Sequence, residues 1–228
     1  MTEIIPDQKI IRTSTEDSIS YDILVLATGS DAVLPTYTSG YDANGVFVYR
    51  TISDLERLID FASKHKGETG VTVGGGLLGL EAAKAMKDLN EFGNVRLIDR
   101  NKWVLARQLD GDAGRLVTEK IRELGVDVML QKRVATINTD SSNNVTGITF
   151  EDGEQIDCCC ICFAVSLLFL FFCFPVGANF ANKIGVKPRD ELGPKAGIKC
   201  AERGGFVVDE WYMAIFGAVA SSISNSKS

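Results

Sequence analysis

The sequence predicts an α/β fold built on a parallel sheet, and three observations predict it. Two short apolar runs, Gly70-Val71-Thr72-Val73 and Val95-Arg96-Leu97-Ile98-Asp99, read as buried strands. Between them lie a glycine-rich turn, Gly74-Gly75-Gly76-Leu77-Leu78-Gly79, and a helical stretch from Leu80 to Leu89 whose Ala82, Ala83 and Ala85 suit close packing. A second amphipathic stretch follows, so strand and helix alternate as in a parallel sheet with crossover helices.

In chain order, the stretch to Ser20 is polar and gives way abruptly to a predicted strand, Ile23-Leu24-Val25-Leu26-Ala27, closed by the turn Thr28-Gly29-Ser30. Residues 31–48 read as loop and short extended pieces. Ser53-Asp54-Leu55-Glu56 fits a capping box, in which the serine hydroxyl accepts from an amide three residues on and the glutamate reaches back. The helix it opens carries Leu55, Leu58, Ile59 and Ala62 on one face. Beyond Asp99, Asp110 or Asp112 caps a helix running to Leu124, with Leu116, Val117, Ile121 and Leu124 at helical spacing. Short strands follow at 126–130, 133–138, 145–150 and 155–164, with Asn143-Asn144 and Asp152-Gly153 as hairpin turns. From Trp211 the chain fades into a serine-rich tail.

Composition excludes several functions. At 228 residues with a net charge of −6, the chain is long enough for a substantial core and a poor electrostatic match to nucleic acid, so no nucleic-acid partner is expected. One histidine, His65, removes any two-histidine metal site, and it reads as part of a solvated helix end. No metal ligands are assigned. The first residues show no secretory leader, so a reducing, cytoplasmic location is expected and the six cysteines do not read as a disulfide framework.

The glycine turn carries the chemistry. It follows a strand, opens a helix and has an acid, Asp99, twenty residues past Gly79, which is the context a dinucleotide fingerprint requires. Gly74 permits the tight turn, Gly75 lies within it, Gly76 lets backbone approach a pyrophosphate, and Gly79 lets helix and strand pack closely. Leu77 and Leu78, within the turn, are further candidate cofactor contacts, and the helix N-terminus that follows supplies amides and partial positive charge to the phosphates. Asp99 suits a ribose hydroxyl and so NAD; Arg100 beside it suits a 2′-phosphate, so NADP stays open.

The segment Gly74 to Ala83 resembles the central nucleotide domain of the pyridine nucleotide-disulfide oxidoreductase family. Tyr21 to Ser30 resembles that family's Ala-Thr-Gly segment beside the flavin, and Ile184 to Leu192 resembles the return crossing into the flavin domain. With Leu97 to Asn101 and Arg107 to Asp110, the pattern looks like the reductase portion of fungal assimilatory NAD(P)H nitrite reductases. The resemblance implies a Rossmann-like fold with two dinucleotide-binding domains, for FAD and NAD(P), here truncated, the nucleotide domain inserted between flavin-domain remnants. It implies hydride transfer from NAD(P)H to FAD, Glu81 near the nicotinamide, Ala27, Thr28 and Gly29 near FAD, and Gly185 in the return crossing as a cofactor contact. The expected division is 1–65 as partial flavin domain and linker helix, 66–164 as NAD(P)-binding domain, 165–183 as an apolar insert, and 184–228 as the return segment with a divergent tail.

Departures from the family pattern matter equally. The first flavin fingerprint has no counterpart before Tyr21, and after Val208-Asp209-Glu210 the chain reads Trp211 to Ala218 with no acid after the glycine. The sirohaem and iron–sulfur region is absent. The chain reads as a fragment, weak or no FAD binding is expected of it alone, and a non-catalytic NAD(P)-binding fragment is the alternative reading. Cys159-x-x-Cys162 sits in a strand-like run rather than at a helix start, so buried strand cysteines are expected rather than a redox dithiol. The twenty residues 158–177 are uncharged and meet the length of a membrane span, which gives a third reading, a membrane-anchored protein. Joining Ala164 to Ile184 restores the family crossing, however, so Val165–Lys183 is read as a translated unspliced intron and no membrane partner is expected.

Overall fold

The computed structural model describes residues 1–15, 17–164, 185–202 and 204–214. Two compact units form: Met1–Asp31 with Lys187–Ser228, and Ala32–Val186. The expected apolar insert 165–183, most of the uncharged run and the tail from Ile215 lie outside the described residues.

The smaller unit opens with an antiparallel meander where only polar sequence was read: β1 (Glu3–Ile5), β2 (Ile10–Arg12) and β3 (Ser18–Ser20). Its buried centre is Ile4, Ala196 and Ile198, with Leu24 and Leu26 packed against it. The strand expected at Ile23–Ala27 is not formed. The alternation that suggested it is real, since Leu24 and Leu26 face the cluster while Ile23 and Val25 are 84% and 81% exposed. Strand geometry also needs a hydrogen-bonded neighbour, and none of the described ladders includes this segment. β4 (Ser30–Val33) follows and pairs with a strand late in the chain, β13 (Gly185–Pro188), where the chain passes between units.

The larger unit holds the parallel sheet. Its strands are β5 (Val46–Val48), β6 (Thr69–Val73), β7 (Asn94–Asp99), β8 (Asp127–Leu130) and β12 (Cys160–Phe163), in the order β5-β12-β6-β7-β8. All four pairings are parallel, with Val73 beside Ile98 and Phe163 beside Val73 at the carboxyl ends. The connecting helices are α1 (Ile52–Lys64), α2 (Leu77–Asp88) and α3 (Gly111–Glu123). An antiparallel meander, β9 (Val134–Thr139), β10 (Val145–Phe150) and β11 (Gln155–Asp157), completes the unit. Because β5 pairs with β12, residues 32–65 lie with the nucleotide-type sheet, ahead of the boundary expected near residue 66.

Strand alternation builds a core on each face. Leu97, Cys160 and Cys162 meet Leu58, Ala62, Ala82, Ala83 and Met86 from the helices. Val71, Ile98, Ile161 and Phe163 meet Ile148, Phe150 and Ile156 of the meander. Each large side chain fully removed from water here contributes roughly 1.5–3 kcal/mol. The sheet is therefore a middle layer.

Four local expectations are corrected. The capping box of α1 is Thr51 with Asp54, not Ser53 with Glu56: the Thr51 hydroxyl accepts from the Asp54 amide at 3.2 Å and Asp54 Oδ2 accepts from the Thr51 amide at 2.9 Å. Helix α2 begins at Leu77, so half of the predicted turn is already helical. On α3, Val117 and Ile121 pack against the core as expected, but Leu116 and the C-cap Leu124 are each 58% exposed; Gly114 and Thr118 are buried instead, and Trp103 lies against Gly114. The predicted strand 155–164 is two strands, because Cys158 N still bonds Thr146 O while Cys159 N bonds Thr69 O, the point where the chain leaves the meander for the parallel sheet. His65 caps the end of α1 half-buried, its ring stacked on Phe61 and its Nδ1 2.8 Å from the Phe61 carbonyl.

Candidate functional site

At the carboxyl ends of β6 and β7 the chain makes a turn that only glycine allows. Gly74 has φ +118° and its amide bonds the Ile98 carbonyl at 2.8 Å, tying the turn to β7. A Cβ on Gly75 would lie 2.7 Å from Asp99 Oδ2. A Cβ on Gly79 would run into the Gly74 carbonyl oxygen, so α2 starts pressed against the turn. Gly76 is the N-cap of α2, with no side-chain cap and open space around its missing Cβ. An uncapped helix N-terminus presents unpaired amides and the positive end of the dipole.

Asp99 ends β7 and is 8% exposed. Its Oδ2 accepts from the Gly75 amide and its Oδ1 accepts from the Asn101 amide at 2.6 Å. The following loop folds back, with the Leu105 amide donating to the Gly75 carbonyl at 2.7 Å. A cleft of about 280 Å³ results. Of the predicted residues it gathers Gly74, Gly75, Gly76, Gly79, Asp99 and Arg100. A strand-end crevice above a helix N-terminus is the place where open parallel sheets take dinucleotides, and the open space at Gly76 is where a pyrophosphate would approach the backbone.

Other predicted residues lie elsewhere. Leu78 and Glu81 line a separate hollow of about 500 Å³ with Tyr49, Arg50 and Thr51. Burial, and then the negative charge of Glu81, push the Tyr49 phenol above its ordinary range. Leu77 is 51% exposed and lines neither space. Ala27, Thr28 and Gly29 belong to the smaller unit, where the Thr28 hydroxyl donates to the Arg189 carbonyl at 2.5 Å and the Arg189 amide donates to the Gly29 carbonyl at 3.0 Å. Gly185 lies in β13. The described part of the smaller unit holds one α-helix, α4 (Leu192–Lys195), and no glycine-rich turn into it, so it offers a flavin pyrophosphate no cradle like that of the larger unit.

Sequence reading missed Arg107, Lys132 and Arg133 in the cleft. Arg107 arrives because the loop after β7 turns back; Lys132 and Arg133 follow β8 and carry no local motif. Lys132 donates to Asp152 at 2.6 Å and to Glu154.

The cysteines of the sheet are buried. Burial pushes the Cys158, Cys159 and Cys162 thiols up to about 12, and Cys160 well above its ordinary value. Against an ordinary 9.0 that means a roughly thousandfold smaller thiolate population at neutral pH. Iodoacetamide at pH 8 is therefore expected to leave these four unmodified in the native protein and to label all four after unfolding, as read by peptide mass mapping. Rapid native labelling of Cys159 or Cys162 would contradict the buried assignment.

The chain's similarities agree with this geometry. The model of the pyridine nucleotide-disulphide oxidoreductase family matches residues 1–167. The NAD(P)H nitrite reductase of Emericella nidulans is 67% identical over 210 residues, covering 92% of this chain and 17% of that protein. That of Neurospora crassa is 52% identical over 210 residues, covering 87% of this chain and 16% of its own length. The chain thus spans about one sixth of these relatives. Among solved structures, a NAD-dependent persulfide reductase from A. fulgidus superposes with a TM-score of 0.75 at 30% identity, covering 93% of this chain and 35% of that one. The strand-turn-helix cleft, the parallel sheet and the match over most of the length lead to one conclusion: the chain belongs to the pyridine nucleotide-disulphide oxidoreductase family.

Proposed function

We propose that this chain is the NAD(P)H-binding part of a flavoprotein oxidoreductase of nitrite reductase type. The observation that carries the reading is the uncapped N-terminus of α2 at the cleft, with open space where a Gly76 Cβ would lie. In this reading the first-turn amides of α2 hold the pyrophosphate, and the buried carboxylate of Asp99 fixes the glycine turn through the Gly75 amide. Glu81 lines the second hollow beside Tyr49, and the family resemblance assigns it to the nicotinamide end. NAD(P)H supplies a hydride when bound; in the complete relatives a flavin and a sirohaem and iron–sulfur region would pass the electrons on.

Calorimetric titration of the purified chain with NADPH and NADH is expected to give one saturable site, and added FAD little or no binding. A folded chain that takes up neither reduced nucleotide would sink the reading. A second reading, a non-catalytic NAD(P)-binding fragment, is favoured by the lack of a second dinucleotide turn in the described part of the smaller unit. No NADPH oxidation with added FAD would favour it. A membrane span beginning at Cys158 is disfavoured by the burial of Cys158–Phe163 within the sheet layer, and no helix of the described residues is long and apolar enough to cross a membrane. The family match ends at residue 167, close to the start of the stretch read as an intron, which supports treating 165–183 as foreign to the domain.

A further inference from the structure

Lys132 lines the cleft, yet its ammonium is bonded to two carboxylates that do not, those of Asp152 and Glu154. Gln131, in the left-handed region at φ +57°, bends the chain as it leaves β8. The Gln131 amide donates to the Asn101 carbonyl and the Lys132 amide to the Asp99 carbonyl, both at 3.0 Å. The Lys132 backbone is thus fixed to the residue whose carboxylate holds the glycine turn through the Gly75 amide. Its side chain reaches another element. The ammonium lies 5.4 Å from the centre of the buried Phe150 ring, and Asp152 and Glu154 belong to the turn between β10 and β11. Glu151, in the same turn, lines the cleft, and its amide donates to the Arg133 carbonyl at 3.0 Å. One lysine therefore joins the end of β7 to the meander turn that carries Glu151 into the cleft.

Ion pairs between exposed side chains contribute little, because water screens them and two long side chains lose freedom. Lys132 is different: its side chain is only 18% exposed, packs on an aromatic ring and meets two acceptors at once. The charges argue against a role in attracting phosphate. One ammonium against two carboxylates leaves the group negative, which disfavours an anionic ligand nearby. The arrangement suits a clamp.

We propose that Lys132 is a positioning residue of the cleft: it clamps the β10–β11 turn to the end of β7 and so holds the cleft at the width a dinucleotide needs, without contacting the ligand. This rests on the nucleotide-binding function proposed above. The test is NADPH calorimetry on the full chain with Lys132→Met, with the pair Asp152→Asn and Glu154→Gln, with all three combined, and with Lys132→Arg. The acid pair decides. Electrostatics alone makes its loss tighten the binding of an anion, and so does a lysine freed to reach the ligand; loss of a clamp weakens it. Lys132→Met and the acid-pair variant are each expected to bind about fivefold more weakly, with no further loss when combined. Lys132→Arg is expected to stay within about twofold of wild type. Melting midpoints are expected within about 3 °C of wild type, so that folded protein has lost the affinity. Unchanged or tighter binding by the acid-pair variant, or losses that add in the combined one, would overturn the clamp; tighter binding would place Lys132 on the ligand. Lowered midpoints with unchanged affinity would reduce Lys132 to a structural tie and overturn it too. In each of these cases nucleotide binding by the wild type stands; a folded wild-type chain that binds no NADPH would overturn both.

Discussion

Replacing Gly79 with alanine is expected to destabilise the protein by about 3 kcal/mol, the cost range of forcing a methyl into closed backbone. The sign is informative. In an exposed helix interior, glycine to alanine stabilises by roughly 1 kcal/mol through propensity. Here the new Cβ would overlap the Gly74 carbonyl oxygen, which is backbone and cannot swing aside. The turn is fixed on its other side by Gly74 N to Ile98 O at 2.8 Å, and by Gly75 to Asp99. Relief would have to push α2 away from β6, opening the core at Ala82, Ala83 and Met86. The thermal denaturation midpoint is expected to fall by about 6–12 °C for a chain of this size. An unchanged or raised midpoint would mean that α2 does not sit against the turn as described.

Gly76→Asp is expected to separate binding from stability. Gly76 has φ −84° and ψ −179°, an extended conformation that any residue adopts, and no atom lies within 4 Å of its missing Cβ. It is also the N-cap of α2, where aspartate is among the preferred residues and a negative charge suits the dipole. Stability should hold or rise by a few tenths of a kcal/mol. The same carboxylate would occupy the space and the amides that a pyrophosphate needs, adding like-charge repulsion. NADPH affinity should therefore fall by about a hundredfold or more.

How far this was legible follows from where each signal resides. The glycine turn, the strands at β6 and β7 and the acid Asp99 are fixed by neighbours in sequence, so the pattern of apolar runs and glycines exposes them. The cap of α1 slipped by two residues because Thr51/Asp54 and Ser53/Glu56 satisfy one rule, and only the backbone conformation at Thr51 selects between them. Ile23–Ala27 has a strand's alternation, but pairing depends on a partner the local sequence does not supply. Leu116 and Leu124 had the same helical spacing as Val117 and Ile121, yet only the latter pair packs against the core, beside the Trp103–Gly114 contact that the spacing does not reveal. Arg107 reached the cleft as the loop after β7 folds back, with Leu105 bonded to Gly75, and Lys132 and Arg133 through their place after β8. Contacts of that kind are made by the fold, and a linear pattern does not encode them.

The central claim is that a dinucleotide binds on the N-terminus of α2, and parallel calorimetry of NADPH on the wild-type chain and Gly76→Asp tests it most directly. One saturable site in the wild type, its loss in the variant and equal melting midpoints are predicted. Equal NADPH affinity in both proteins would contradict the account, because the nucleotide would then bind somewhere other than this turn.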